Sequence, residues 1–129
     1  MNRFIILLAS NSEAEKNMVR ARILLALAFP EGTHFSENHW SAAVVKEGQL
    51  PPRDECAIYL NALCVASSEM ALNDVQAFLK QTETEMGRLR GAEAQGRVAI
   101  DMDLVEWNGE VLRPKDAEQD YYKKCLKDL

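Results

Sequence analysis

The sequence predicts an α+β fold, an antiparallel sheet with helices packed on it. Three observations lead there. Apolar segments of strand length and segments of helical periodicity follow one another in the order β-α-β-β-α-β. Asn108-Gly109 sits between two short apolar stretches and marks a tight two-residue hairpin near the C-terminal end. A hydrophobic content of 47% over 129 residues supplies one real core. That order is the ferredoxin-like pattern, here with a C-terminal hairpin and helix added. No repeat or low-complexity tract divides residues 1–129, so one domain is expected.

Arg3 to Ala9 reads as a buried strand. Ser12-Glu13-Ala14-Glu15 has the form of a capping box. Val19, Ile23, Ala26 and Leu27 then recur at helical spacing, with Arg20 and Arg22 turned away, until Pro30 and Gly32 stop the helix near Phe29. A second strand is expected over 33–45, and the turn-rich residues 46–56 form a loop. Tyr59 to Ser67 is the third strand. Leu72 to Leu89 is the second helix, with Val75, Phe78, Leu79, Thr82, Met86 and Leu89 on one stripe. Gly91 to Gly96 offers little apolar surface and is expected to be a mobile loop. Val98 to Trp107 is the fourth strand, the hairpin returns through Val111 and Leu112, and residues 116–129 form a terminal helix. Trp40 and Trp107 are expected in packing roles, and His34 and His39 have no acidic or Cys neighbour in the sequence.

The net charge of −5 argues against nonspecific binding of nucleic acid. No apolar run approaches the roughly 20 residues of a membrane span, and Phe4 to Ala9 is too short for a signal segment. Cys56, Cys64 and Cys125 are odd in number and form neither a CxxC pair nor a zinc pattern, which points to a reducing, cytoplasmic setting. Cys64 lies in an apolar run and reads as a buried thiol.

The most chemical stretch is Val98-Ala99-Ile100-Asp101-Met102-Asp103-Leu104. On a strand, alternate residues share a face, so Asp101 and Asp103 stand together, opposite Ile100, Met102 and Leu104. Neighbouring carboxylates repel unless a cation lies between them. A hard divalent ion such as Mg²⁺, bridging to phosphate oxygens, relieves that repulsion. A half-exposed strand with two acids on its polar face satisfies the same spacing.

The context narrows the choice. Ala9-Ser10-Asn11 follows the first strand. Tyr59-Leu60-Asn61-Ala62, then Glu83 through Gly87-Arg88-Leu89-Arg90, then Asp101-Met102-Asp103-Leu104 and the Asn108-Gly109 hairpin come in that order. So arranged, the chain resembles the 6-hydroxymethyl-7,8-dihydropterin pyrophosphokinase family of folate biosynthesis. From Tyr59 to Val111 the register needs no insertion or deletion, and the resemblance fades after about Leu112.

The resemblance implies transfer of a pyrophosphoryl group from ATP to the hydroxymethyl oxygen of a reduced pterin. It places two Mg²⁺ ions, bound with ATP, on Asp101 and Asp103, and makes Arg88 a catalytic residue beside them. Arg88, Arg90, Glu83, Leu104 and Tyr122 fall on its ATP contacts. Tyr59 falls on the residue that stacks on the pterin, Asn61 on the amide that reads its edge, and Ser41 on a third pterin contact. The implied partners are ATP and a reduced pterin, with no nucleic acid or membrane; the oligomeric state is left open.

There are departures. Ala9 stands where the family has the first Gly of Gly-Ser-Asn. Ala94-Gln95-Gly96-Arg97-Val98 stands where it has Arg-Trp-Gly-Pro-Arg, so the loop Trp and the second Arg are missing. The family pattern also runs on through a further helix and strand. Two other readings therefore stand beside the enzyme: a pterin- or nucleotide-binding paralogue with little or no catalysis, and a non-enzymatic ferredoxin-like assembly module.

Overall fold

The computed structural model describes residues 1–44, 48 and 53–129, the side chain of Glu55 excepted. The expected loop over 46–56 and the end of the expected strand over 33–45 lie partly outside these residues.

Strand β1 (Asn2–Ser10) is the centre of an antiparallel sheet. It pairs with β4 (Ile58–Ser68) on one side and with β5 (Asp101–Trp107) on the other. The short strands β2 (His34–Phe35) and β3 (His39–Ala42) lie one after the other along the far edge of β4. β6 (Glu110–Val111) returns along β5. Asn108 and Gly109 both have positive φ, +49° and +86°, as the tight hairpin requires.

The second strand is thus two pieces. Between them Ser36 takes over a backbone role: its N–H donates to the Leu63 carbonyl, and its Oγ accepts the Leu63 N–H at 2.8 Å. A hydroxyl in place of a carbonyl lets the chain bend without orphaning a buried donor.

Helices α1 (Ala14–Ala28) and α2 (Leu72–Glu85) cover one face of the sheet, over a core of Phe4, Ile6, Leu8, Met18, Leu25, Leu79 and Met102. The face chosen by α1 corrects the expectation. Met18, Ala21 and Leu25 are buried, whereas Val19, Ile23 and Leu27 are exposed. α1 carries two apolar stripes, so periodicity alone leaves the choice open; the stripe with the small Ala21 faces the sheet. Arg22 is not turned away either. It donates to the Ser36 carbonyl and stacks over Phe35 at 5.0 Å. The capping box does not form: Glu13 is the N-cap, in a left-handed conformation with no side-chain cap bond, and Asn17 Nδ2 bonds the Ser12 carbonyl instead.

On the opposite face, α4 (Asp120–Lys127) packs Tyr122 and Cys125 against Leu7, Leu63 and Val105. It follows the short α3 (Pro114–Ala117), so the expected terminal helix is two. α4 covers one end of that face. The rest, where Ala9, Asn61 and Asp101 lie side by side across three strands, is open. Trp107 packs on Phe4, with ring centroids 5.2 Å apart, but Trp40 is exposed. Among the described residues no helix is long and apolar enough to cross a membrane.

Candidate functional site

The open part of the sheet forms a cavity of about 330 Å³. Tyr59 and Asn61 reach it from β4, Ser41 from β3, Ala9 from β1, and Asp101 and Asp103 from β5. Alternation along each strand, locked by the register, puts them on one face. Asn61 is almost fully buried. Its Nδ2 donates to Ser41 Oγ at 2.7 Å and to the His39 carbonyl at 3.0 Å. That fixes the amide orientation. Ala9 has no positive φ, so this position tolerates a side chain where the family has Gly.

Arg88 arrives through a helix end. α2 stops at Glu85, and Gly87, at φ +92°, closes it: Gly87 N–H bonds Thr84 O and Arg88 N–H bonds Glu83 O. Gly87 is therefore the helix-ending glycine, and the helix is shorter than the expected 72–89. The turn swings Arg88 back across β5, where Nη1 donates to the Ile100 carbonyl at 3.0 Å and to Asp101 Oδ1 at 3.3 Å. Its Nε is buried without a partner, a donor aimed at no protein acceptor.

Expected β-structure from Val98 starts only at Asp101, because Asn11 captures the backbone before it. The Val98 N–H donates to Asn11 Oδ1 at 2.6 Å, Asn11 N–H donates to the Val98 carbonyl, and Asn11 Nδ2 holds the Gly96 and Cys56 carbonyls. Residues Gly91–Ala94 form an exposed turn of 3-10 helix whose C-terminal side is tied down in this way.

The acid pair is surrounded by cations. Lys80 Nζ lies 3.3 Å from Asp103 Oδ1 and 3.9 Å from Asp101 Oδ1, and Arg113 Nη2 lies 3.9 Å from Asp103 Oδ2. Burial, the hydrogen bond with Asp103 and the repulsion of Asp103 and Glu83 push the Asp101 carboxyl up to about 7, against the pull of Arg88. Burial also works against the Asp103 charge, but the bond from Asp101 and the cations Lys80 and Arg113 outweigh it and hold Asp103 below the usual range. Burial and the Asp101 charge raise Tyr59.

A second cavity, of about 400 Å³, lies around the open edge of β5. It is lined by Gln76, Leu79, Lys80, Met102, Leu104 and Leu112, together with Asp103 and Arg113. Asp103 and Arg113 thus line both cavities. Arg90 lines a third, shallower space of about 240 Å³ with Arg88, Arg97 and Val98.

Of the residues singled out in the sequence, Arg88, Asp101, Asp103, Tyr59, Asn61 and Ser41 share the first cavity, Leu104 lines the second and Arg90 the third. Two stand elsewhere. Glu83 has no exposed surface. It pairs with Arg90 at 2.6 Å and Lys80 at 3.0 Å and accepts the Met102 N–H. Its carboxylate is turned into the protein and lines neither of the first two cavities. Tyr122 is buried in the core under α4, and its neighbour Tyr121 lines the first cavity. A helix sends adjacent residues in different directions, so the two tyrosines part, and neither lines the second cavity. The sequence reading also missed Lys80 and Arg113; Lys80 precedes Glu83 by one helical turn, which is the available signal. His39 finds a partner remote in sequence, with Nε2 2.6 Å from Asp128 Oδ2.

Two half-buried carboxylates on one face are hard oxygen donors suited to Mg²⁺. Among the described residues no group of three or more His, Cys, Asp or Glu could hold a metal, so the other ligands would be phosphate oxygens and water.

Comparison with known proteins gives this geometry a family. Over 66 residues, 51% of the chain, it is 33% identical to the folic acid synthesis protein FOL1 of Dictyostelium discoideum; the match spans 10% of that protein. The family model described as 7,8-dihydro-6-hydroxymethylpterin-pyrophosphokinase matches residues 5–129. The chain, with its ferredoxin-like sheet and paired strand carboxylates, belongs to that pyrophosphokinase family.

Proposed function

We propose that this chain moves a pyrophosphoryl group from ATP to 6-hydroxymethyl-7,8-dihydropterin, with AMP as the other product. The observation that carries the reading is the pair of cavities meeting at Asp103 and Arg113. A reaction between two bound molecules needs two sites joined at the point of transfer.

The pterin belongs in the first cavity. Tyr59 offers a ring face for stacking. Asn61 Nδ2 is committed to the protein, which leaves Oδ1 as the acceptor for an N–H on the ring edge. The nucleotide belongs in the second, with apolar Leu79, Leu104 and Leu112 for the base and Lys80 and Arg113 for the phosphates. The pterin hydroxyl oxygen attacks the β-phosphorus, the bond from that phosphorus to the α-bridging oxygen breaks, and the hydroxyl proton is released. Mg²⁺ on Asp101 and Asp103 would neutralise phosphate charge. Arg88, whose guanidinium lies beside Asp101, stabilises negative charge as it develops. The three buried free cysteines suit a reducing cytoplasm.

One observation favours a second reading, a binding protein with slow or no transfer. Val98, apolar, occupies the cavity wall where the family pattern has Arg. The test is AMP formation by the purified chain with ATP, Mg²⁺ and the reduced pterin, beside Asp103→Asn. AMP release that depends on both pterin and Asp103 supports the enzyme. Tight binding of both ligands without AMP selects the second reading, and absence of binding overturns both.

A further inference from the structure

Lys80 stands against the acid pair. Its ammonium touches three carboxylates at once: Glu83 at 3.0 Å, Asp103 at 3.3 Å and Asp101 at 3.9 Å. It also lies 3.4 Å from the Met102 carbonyl, between the two acids. A divalent ion held by Asp101 and Asp103 would compete with Lys80 for the same two carboxylates. Two cations cannot occupy that space together at such distances without strong repulsion.

The other cations near the pair are differently placed. Arg88 is anchored to the Ile100 carbonyl and Arg113 to Asp116. Lys80 is half exposed, sits on a flexible stem and lines the 400 Å³ cavity proposed for the nucleotide. It can leave the acids without leaving the site.

We propose that Lys80 is an internal counter-ion that fills the cation place on Asp101 and Asp103 in the free protein and gives it up to the metal only when nucleotide phosphates draw its ammonium into the adjoining cavity. Metal loading is then conditional on nucleotide. Lys80 acts here as a positioning residue, and the inference rests on the pyrophosphokinase reading above.

The experiment measures Mn²⁺ affinity by electron paramagnetic resonance, for wild type and Lys80→Gln, without nucleotide and with a nonhydrolysable ATP analogue. Gln keeps a polar donor near Glu83 and Met102, and the site is half exposed, so folding should survive; thermal melting checks this. Wild type should bind Mn²⁺ weakly alone and much more tightly with the analogue. Lys80→Gln should bind Mn²⁺ alone about tenfold more tightly than wild type, a deliberately low figure for one charge within 4 Å, because the group is half screened by water. The gain from nucleotide should shrink by a similar factor. Loss of structure alone would weaken metal binding, not strengthen it. Equal or weaker nucleotide-free affinity in Lys80→Gln, with nucleotide-dependent binding intact in wild type, overturns the role of Lys80 and leaves the pyrophosphokinase reading standing. No Mn²⁺ binding to wild type in either condition overturns both.

Discussion

Glu83 Oε2 accepts the backbone N–H of Met102 at 2.7 Å, so a fully buried helix carboxylate grips the residue between Asp101 and Asp103. β5 has a free edge here: β6 pairs only with Glu106 and Trp107, further along. Without Glu83 that N–H would be buried and unpaired. The same carboxylate gathers Arg90, Lys80 and, at 3.6 Å, Arg88. One side chain therefore sets both the strand carrying the acids and the cations facing them.

Removing it should be costly. Breaking a buried ion network by deleting one member typically costs about 3–5 kcal/mol. Glu83→Ala is expected to fall in that range, and Glu83→Gln to lose less, because Gln still offers an oxygen to Met102. Denaturant midpoints compare the three proteins. A Glu83→Ala midpoint matching wild type would show that the network contributes nothing.

Why the acid pair was legible and Glu83 was not follows from the physics of each. A strand has a side-chain period of two, so Asp-Met-Asp fixes the shared face of its acids without any knowledge of the fold. Glu83 lies on a helix among Glu85, Lys80 and Gln81, where a buried and a solvated carboxylate look alike until the sheet edge is placed. The α1 face was illegible for a related reason: Met18-Ala21-Leu25 and Val19-Ile23-Leu27 are both apolar stripes, and only contact with the sheet selects one. The break in the second strand depends on a Ser36 hydroxyl meeting Leu63, a pairing remote in sequence.

Tyr59 carries the stacking proposal. Tyr59→Ala should weaken pterin binding by about 1 kcal/mol or more, taking aromatic pair energies as the scale, while Tyr59→Phe keeps the ring and most of the affinity. Fluorescence titration with the pterin distinguishes them. If Phe lost as much as Ala, the hydroxyl and not the ring face would be the contact.

The cysteines should be inert in the folded protein. Cys56, Cys64 and Cys125 are all buried and unpaired. Burial pushes the Cys64 thiol up to about 12, so at pH 8 it carries almost no thiolate, the reactive form. A thiol reagent should label Cys64 only as fast as the protein opens, with labelling slowed by ligands that stabilise the fold. Raising the pH from 7 to 9 should not bring out a fast phase at Cys64, as followed by mass spectrometry. Fast labelling of Cys64 in the native protein would contradict its burial.

Val98 offers the sharpest test of what the site lacks. Its side chain lies on the wall shared by the first cavity and the Arg88–Arg90–Arg97 space. Its backbone is held at both ends, N–H by Asn11 Oδ1 and carbonyl by Asn11 N–H and Ser10 Oγ. A larger side chain can therefore be added without moving the strand entry. Val98→Arg places a guanidinium across from Arg88, where phosphate charge gathers in the proposed transfer. One well-placed donor to developing charge is worth roughly tenfold to a thousandfold in rate. Repulsion from Arg88 offsets part of that until phosphate arrives. Turnover should rise about tenfold with pterin affinity nearly unchanged, because Tyr59 and Asn61 are untouched. Single-turnover AMP release gives the rate, and pterin titration gives the affinity. A variant that binds ATP more tightly yet transfers no faster would place Val98 outside the transfer step and leave the slow-transfer reading without its structural cause.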